Sequence, residues 1–139
     1  MKQAPTFSLK HALTNEEYSL SSYLGKSVML TFWTSWCPDS RVDLALKQRL
    51  YQSMDHSKLE MLMINVTGRE RIEHVGDFVK EQGYTFPVLL DDGRTTYDQF
   101  KCAGVPTTIC INADGQIVTT LGEQASFQDV TNALATLLN

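Results

Sequence analysis

Val28-Met29-Leu30-Thr31-Phe32-Trp33-Thr34-Ser35-Trp36-Cys37-Pro38-Asp39-Ser40 is the stretch on which the reading of this chain turns. Its first six residues are an apolar, β-rich run of the kind buried on both faces of a parallel sheet. Pro38 suits the first turn of a helix, where its missing N–H costs nothing. Beyond it Val42, Ala45, Leu46, Arg49 and Leu50 recur at helical spacing and predict that helix's inward side. Cys37 therefore stands where a buried strand hands over to a helix, and the unpaired N–H groups of a helix start favour a negatively charged sulfur, the form that acts as nucleophile. The ordinary alternative is a cysteine that merely fills space as a small hydrophobe. The flanking Trp36 and Pro38 and the place at a helix start favour the nucleophile.

Working outward, residues 5–10 and 17–20 read as short extended pieces around the polar turn Thr14-Asn15-Glu16, with Ser21 and Ser22 expected to cap a helical turn before Gly25. On the C-terminal side, Leu59 to Val66 predicts a second buried strand, followed by a helix whose inward residues are Ile72, Val75 and Val79 and which stops at Gly83. Phe86 to Leu90 predicts a third strand and Thr95 to Lys101 a short helix. Thr107–Ile111 and Gln116–Leu121 predict a hairpin about Asp114-Gly115, and a closing helix is expected to turn Phe127, Val130, Leu134 and Leu138 inward. This βαβα order implies an α/β protein with a mixed sheet and helices on both faces. No linker or repeat divides the chain, so residues 1–139 are read as one domain.

The 139 residues, 42% hydrophobic and 20% charged, are enough for a single core. A net charge of −4 with no basic cluster argues against nucleic acid as a partner. No apolar run approaches the about 20 residues a membrane helix needs. His11, His56 and His74 lie in separate segments and read as exposed polar residues; no metal and no cofactor is expected. Three cysteines, Cys37, Cys102 and Cys110, have neither metal-ligand nor paired-framework spacing, so at least one thiol is free.

Phe32-Trp33-Thr34-Ser35-Trp36-Cys37-Pro38 resembles the active-site entry of thioredoxin-like proteins, and Gly104-Val105-Pro106-Thr107-Thr108 resembles their cis-proline loop. Ala4-Pro5-Thr6-Phe7-Ser8-Leu9, Tyr84 to Asp91 and Asn112 to Val118 extend the similarity to the TlpA/ResA-like branch of bacterial thiol-disulfide oxidoreductases, over nearly the whole chain and in the right order. The resemblance implies a thioredoxin fold with an N-terminal hairpin and a βα insertion. It also implies a cis Val105-Pro106 bond, with Trp36, Pro38, Val105 and Pro106 beside a bound substrate, and a protein or low-molecular-weight thiol or disulfide as partner. A monomer is expected. Members of this branch commonly work outside the cytoplasm behind an anchor, whereas the chain as written carries no export signal and suits a reducing cytosol.

One departure from the family stands out. The family's second cysteine is replaced by Ser40, whose hydroxyl can donate a hydrogen bond to a Cys37 thiolate but cannot close a disulfide. Catalysis would then run through one thiol, with Cys37 and Ser40 as catalytic residues. Glu70 is expected to open the helix after the second strand, and it matches an acidic position that the family places near the active site as a proton acceptor. A first-turn glutamate serving only the helix dipole is its plainer reading. Thr31 stands where thioredoxins proper hold a buried aspartate. Cys102 and Cys110 read as core, with Cys102 a candidate resolving thiol.

Thiol-disulfide exchange is accordingly the expected function. A single-cysteine peroxidase of the peroxiredoxin kind is the second, since Thr34 precedes Cys37 by three residues as their motif requires, but Leu30 stands where they need proline. A binding module using the proline groove without turnover is the third.

Overall fold

The computed structural model describes residues 2–138. Eight strands, β1 (Lys2–Gln3), β2 (Ser8–His11), β3 (Glu17–Ser19), β4 (Ser27–Trp33), β5 (Leu59–Asn65), β6 (Val88–Leu90), β7 (Thr107–Ile111) and β8 (Gln116–Leu121), form one sheet in the order β1-β8-β7-β4-β5-β6-β2-β3. Four helices accompany them: α1 (Pro38–Ser53), α2 (Ile72–Gln82), α3 (Thr95–Gln99) and α4 (Phe127–Leu138). β4 pairs parallel with β5 across the α1 crossover, and β5 pairs parallel with β6 across α2. β7 runs antiparallel to β4, and the β2–β3 hairpin adds to the far edge along β6.

Burial on both faces of β4 and β5 explains their unbroken apolar sequence. Alternate residues of these strands serve two cores. Val28, Leu30, Phe32, Leu62 and Ile64 face the side closed by Tyr97 of α3, Phe100 and the N-terminal segment. Met29, Trp33, Met61 and Met63 face the side closed by α1, α2 and α4, through Leu44, Val75, Val79, Val130 and Leu134. Helices thus lie on both faces, as expected, with the N-terminal hairpin and the α2–β6 insertion in place. None of them is long and apolar enough to cross a membrane.

Several sequence expectations are corrected. Ser21 and Ser22 lie inside a 3-10 turn spanning Leu20–Tyr23 whose cap residue is Ser19, and the Ser19 hydroxyl donates to Ser8 rather than capping the turn. Ile72, Phe127 and Leu138 are exposed at the terminal residues of their helices rather than turned inward. Gly83 ends α2 in the left-handed conformation with φ 69°, which glycine adopts freely. His11 and His56 are half-buried, His56 meeting Glu60 at 2.7 Å, and only His74 is exposed.

The largest correction concerns α1. Its buried stripe is Ser40, Leu44 and Lys47, while Val42, Ala45 and Arg49 are exposed and Leu46 and Leu50 are half-buried. The helix is rotated from the face its apolar residues suggest because Lys47, fully buried, reaches into the sheet. Its ammonium donates to Thr31 at 2.9 Å and Thr108 at 2.7 Å, and it meets Asp43 at 2.7 Å. Thr31 and Thr108 are direct cross-strand partners in β4 and β7, so one cation ties α1 to two central strands.

Candidate active site

Cys37 is the cap residue of α1, with extended backbone at φ −86°, ψ 118°, and its carbonyl accepts the helix's first bond from the Arg41 N–H at 3.1 Å. Pro38 occupies the first turn and Asp39 follows it. The half-buried thiol donates to the Val105 carbonyl at 3.8 Å, and the Val105–Pro106 peptide is cis. Residues 68 apart in the chain therefore meet at one sulfur. They meet because β4 and β7 are paired neighbours, with Phe32 opposite Thr107, so the loop after β4 and the loop before β7 emerge side by side.

Every residue from Ser27 to Ser35 is buried, and the chain surfaces abruptly at Trp36, which is 49% exposed. The indole N–H of Trp36 donates to the Arg69 carbonyl at 3.1 Å, and the Arg69 guanidinium stacks 5.3 Å from the centre of its ring. Trp33, pointing to the other core, is fully buried.

Glu70 lies between a 3-10 turn (Thr67–Arg69) and α2 rather than opening the helix. Its two carboxylate oxygens accept the Ser35 backbone N–H at 2.7 Å, the Ser35 hydroxyl, and the Asn65 side-chain amide at 2.6 Å. The donors come from the ends of β4 and β5, so the carboxylate fastens the loop that carries Trp36 and Cys37. Ser40 is fully buried, and its hydroxyl accepts the Thr34 N–H at 3.4 Å. Among the described residues the Cys37 thiol bonds to Val105 and not to Ser40.

Cys102 and Cys110 are free thiols. Burial pushes the Cys102 thiol up to about 12 and the Cys110 thiol up to about 11, so both resist ionisation. Lys47 was missed by the sequence reading. The available signal was the Asp43/Lys47 pair one turn apart together with Thr31 and Thr108, two hydroxyls inside otherwise apolar strands that require partners.

The AhpC/TSA family matches residues 1–120. Thiol-disulfide oxidoreductase ResA of Bacillus subtilis is 33% identical over 115 residues, covering 83% of this chain and 63% of that protein, so the chain spans less than two-thirds of that relative's length. Thioredoxin-like protein YneN of the same organism is 35% identical over 117 residues, covering 84% of this chain and 67% of that protein. The crystal structure of StoA from Bacillus subtilis superposes with a TM-score of 0.80 at 25% identity, covering 94% of this chain and 96% of that one, and the shared architecture is the thioredoxin-like fold.

Proposed function

Because this chain belongs to the AhpC/TSA family, we propose that it exchanges thiols and disulfides with protein or low-molecular-weight partners through Cys37 alone. The observation that carries this reading is the meeting of a helix-capping thiol with the carbonyl of the residue before a cis proline. Exchange needs an attacking thiolate, access and a place for the partner chain. The first turn of α1 offers unpaired N–H groups to the sulfur, exposed Trp36 and Pro38 flank it, and the Val105 and Pro106 backbone lies alongside. The reading of ResA as a thiol-disulfide oxidoreductase supports the same class of chemistry.

In the proposed cycle, Cys37 attacks a partner disulfide and is left in a mixed disulfide. Ser40 has no sulfur to resolve it, so an external thiol must. Ser40 serves by holding the Thr34 N–H beneath the loop, and Glu70 by anchoring Ser35. Both oxygens of Glu70 are already engaged, which favours positioning over proton acceptance.

The test is incubation with the neutral 2-hydroxyethyl disulfide followed by mass spectrometry. A stable one-thiol adduct at Cys37 is expected, with Ser40→Cys releasing it and gaining dithiol reductase activity on insulin. A Cys37–Cys102 disulfide would overturn the single-thiol cycle. An unreactive Cys37 would favour a binding module, and reduction of hydrogen peroxide well above the rate of a free thiol would favour the peroxidase reading.

A further inference from the structure

We infer that the groove leading from Pro106 between α1 and the start of α4 selects the partner of Cys37, and that it takes a polypeptide segment carrying a lysine or arginine beside an apolar side chain next to the reacting cysteine. This rests on the exchange reading above and names its substrate class.

The groove is built from three separate parts of the chain. Asp39, Val42 and Leu46 of α1 form one wall, Phe127 at the start of α4 the other, and Pro106, Asp43 and Glu123 complete it. Its apolar members stand open to solvent: Val42 is 62% exposed and Phe127 41%. The carboxylates divide into two kinds. Asp43 is neutralised by Lys47, whose ammonium lies 2.7 Å from its buried Oδ2. Asp39 and Glu123 have no cationic partner among the described residues, and no lysine or arginine lines the groove. Glu123 also leans on the proline loop itself: a Cβ at Gly104 would lie 2.7 Å from its Oε2. A second shallow surface beside it, formed by Ala103, Gly104, Thr107 and Gly122 to Gln124, likewise has no basic residue.

The opposite flank of Cys37 differs. Around Trp36 the carboxylates of Glu70, Glu73 and Asp77 stand among Arg69, Arg71 and His74, and Glu70 is already engaged by Ser35 and Asn65, so here cations answer the anions as they do not in the groove. Discrimination therefore falls on the Pro106 side. A cation there meets two unpaired carboxylates, and an apolar neighbour covers Val42 or Phe127. An anionic partner meets like charge from Asp39 and from Glu123.

The step itself is balanced. The Cys37 thiolate attacks one sulfur of the partner disulfide, the new Cys37–sulfur bond forms as the old sulfur–sulfur bond breaks, and the second sulfur leaves as a thiolate that takes a proton from water. Cys37 is oxidised as that sulfur is reduced.

The test compares symmetric disulfides of three blocked peptides, Lys-Leu-Cys, Glu-Leu-Cys and Lys-Gly-Cys, each rate divided by that of the same disulfide with the neutral thiol N-acetylcysteine amide. At low ionic strength the Lys-Leu peptide should react about tenfold faster than the Glu-Leu peptide, the size expected of local steering, and the gap should close in concentrated salt. The Lys-Gly peptide should fall behind Lys-Leu severalfold. Glu123→Gln and Asp39→Asn should each lower the Lys-Leu to Glu-Leu ratio. Asp114→Asn, which removes the same charge from the hairpin at the far end of β7, should leave that ratio intact. A ratio near one, or equal losses from Asp114→Asn, overturns the inference while leaving exchange standing if the neutral disulfide still reacts. Failure of every disulfide at Cys37 overturns both.

Discussion

Glu70 and Ser35, 35 residues apart, are joined twice: the Ser35 backbone N–H donates to one carboxylate oxygen at 2.7 Å and the Ser35 hydroxyl to the other. With Asn65 donating at 2.6 Å, three neutral donors converge on one anion, the arrangement in which hydrogen bonds are strongest. Replacing Glu70 by Gln keeps the shape but turns an NH2 group towards donors that need an acceptor. We expect Glu70→Gln to lower stability by about 2 kcal/mol. Urea unfolding should show this as a lower midpoint with an unchanged slope, and an unaltered midpoint would show that the carboxylate does not hold the loop.

Lys47 and Asp43 form a buried pair whose parts are unequal to the whole. Asp43→Asn leaves a fully buried ammonium without its anion and should cost about 3–5 kcal/mol, whereas the double change Asp43→Leu with Lys47→Met should restore most of that loss. Desolvation holds the Lys47 pKa below its ordinary 10.5 despite the pull of Asp43. A lysine depressed in the folded chain weighs fully against folding at lower pH, and the penalty is relieved as pH rises through the folded pKa towards 10.5. The native chain should therefore gain on the doubly substituted one across that window, and a difference that stays flat with pH would contradict the assignment.

The thiols and Tyr23 act with the opposite sign. Burial raises Cys102 from 9.0 to about 12, Cys110 from 9.0 to about 11 and Tyr23 from 10.0 to about 12. The unfolded chain then loses these protons first, so the stability they contribute is complete below about pH 9 and drains away as pH climbs to the folded values. Burial raises Tyr18, Tyr51 and Tyr84 as well, so six such groups oppose the lowered Lys47 and Lys2, and overall stability should fall above about pH 9. Near neutral pH iodoacetamide should label Cys37 first, the half-buried Cys102 far more slowly because its thiol resists ionisation, and the buried Cys110 only in denaturant. Labelling of Cys102 as fast as Cys37 would contradict its raised pKa.

The two tryptophans offer a direct optical check. Trp33 is fully buried and Trp36 is 49% exposed beside the thiol. Trp36→Phe should leave a blue-shifted emission that acrylamide quenches poorly, while in the native chain alkylation of Cys37 should alter only the quenchable component. A strongly quenchable Trp36→Phe variant would show Trp33 to be misplaced.

Much of this architecture could be read from residue order because the two-faced strands β4 and β5 are written as continuous apolar runs, and the hairpin turn and helix stop are marked by Gly115 and Gly83. Cys37 was legible because it sits at a strand-to-helix junction that local chemistry marks, whereas the cis Val105–Pro106 bond was legible only through the family resemblance. The orientation of α1 was not. Periodicity counts a lysine as a surface residue, yet Lys47 is buried because Thr31 and Thr108, far away in sequence, supply acceptors that only the folded sheet brings together. The same limit hid the partners of Ser40 and Glu70, which are the Thr34 N–H for the one and Ser35 and Asn65 for the other, rather than Cys37.

The nine consecutive buried residues that lead from Ser27 to Ser35 have a consequence for motion. Amides in such a central strand exchange with solvent only when the whole domain opens, whereas loops on shallow foundations breathe on their own. A thiol carried by the short buried continuation of that strand inherits its quiet. The modification rate of Cys37 should therefore stay level as denaturant is raised, right up to the unfolding transition, with the sulfur available at all times and owing nothing to local fluctuation.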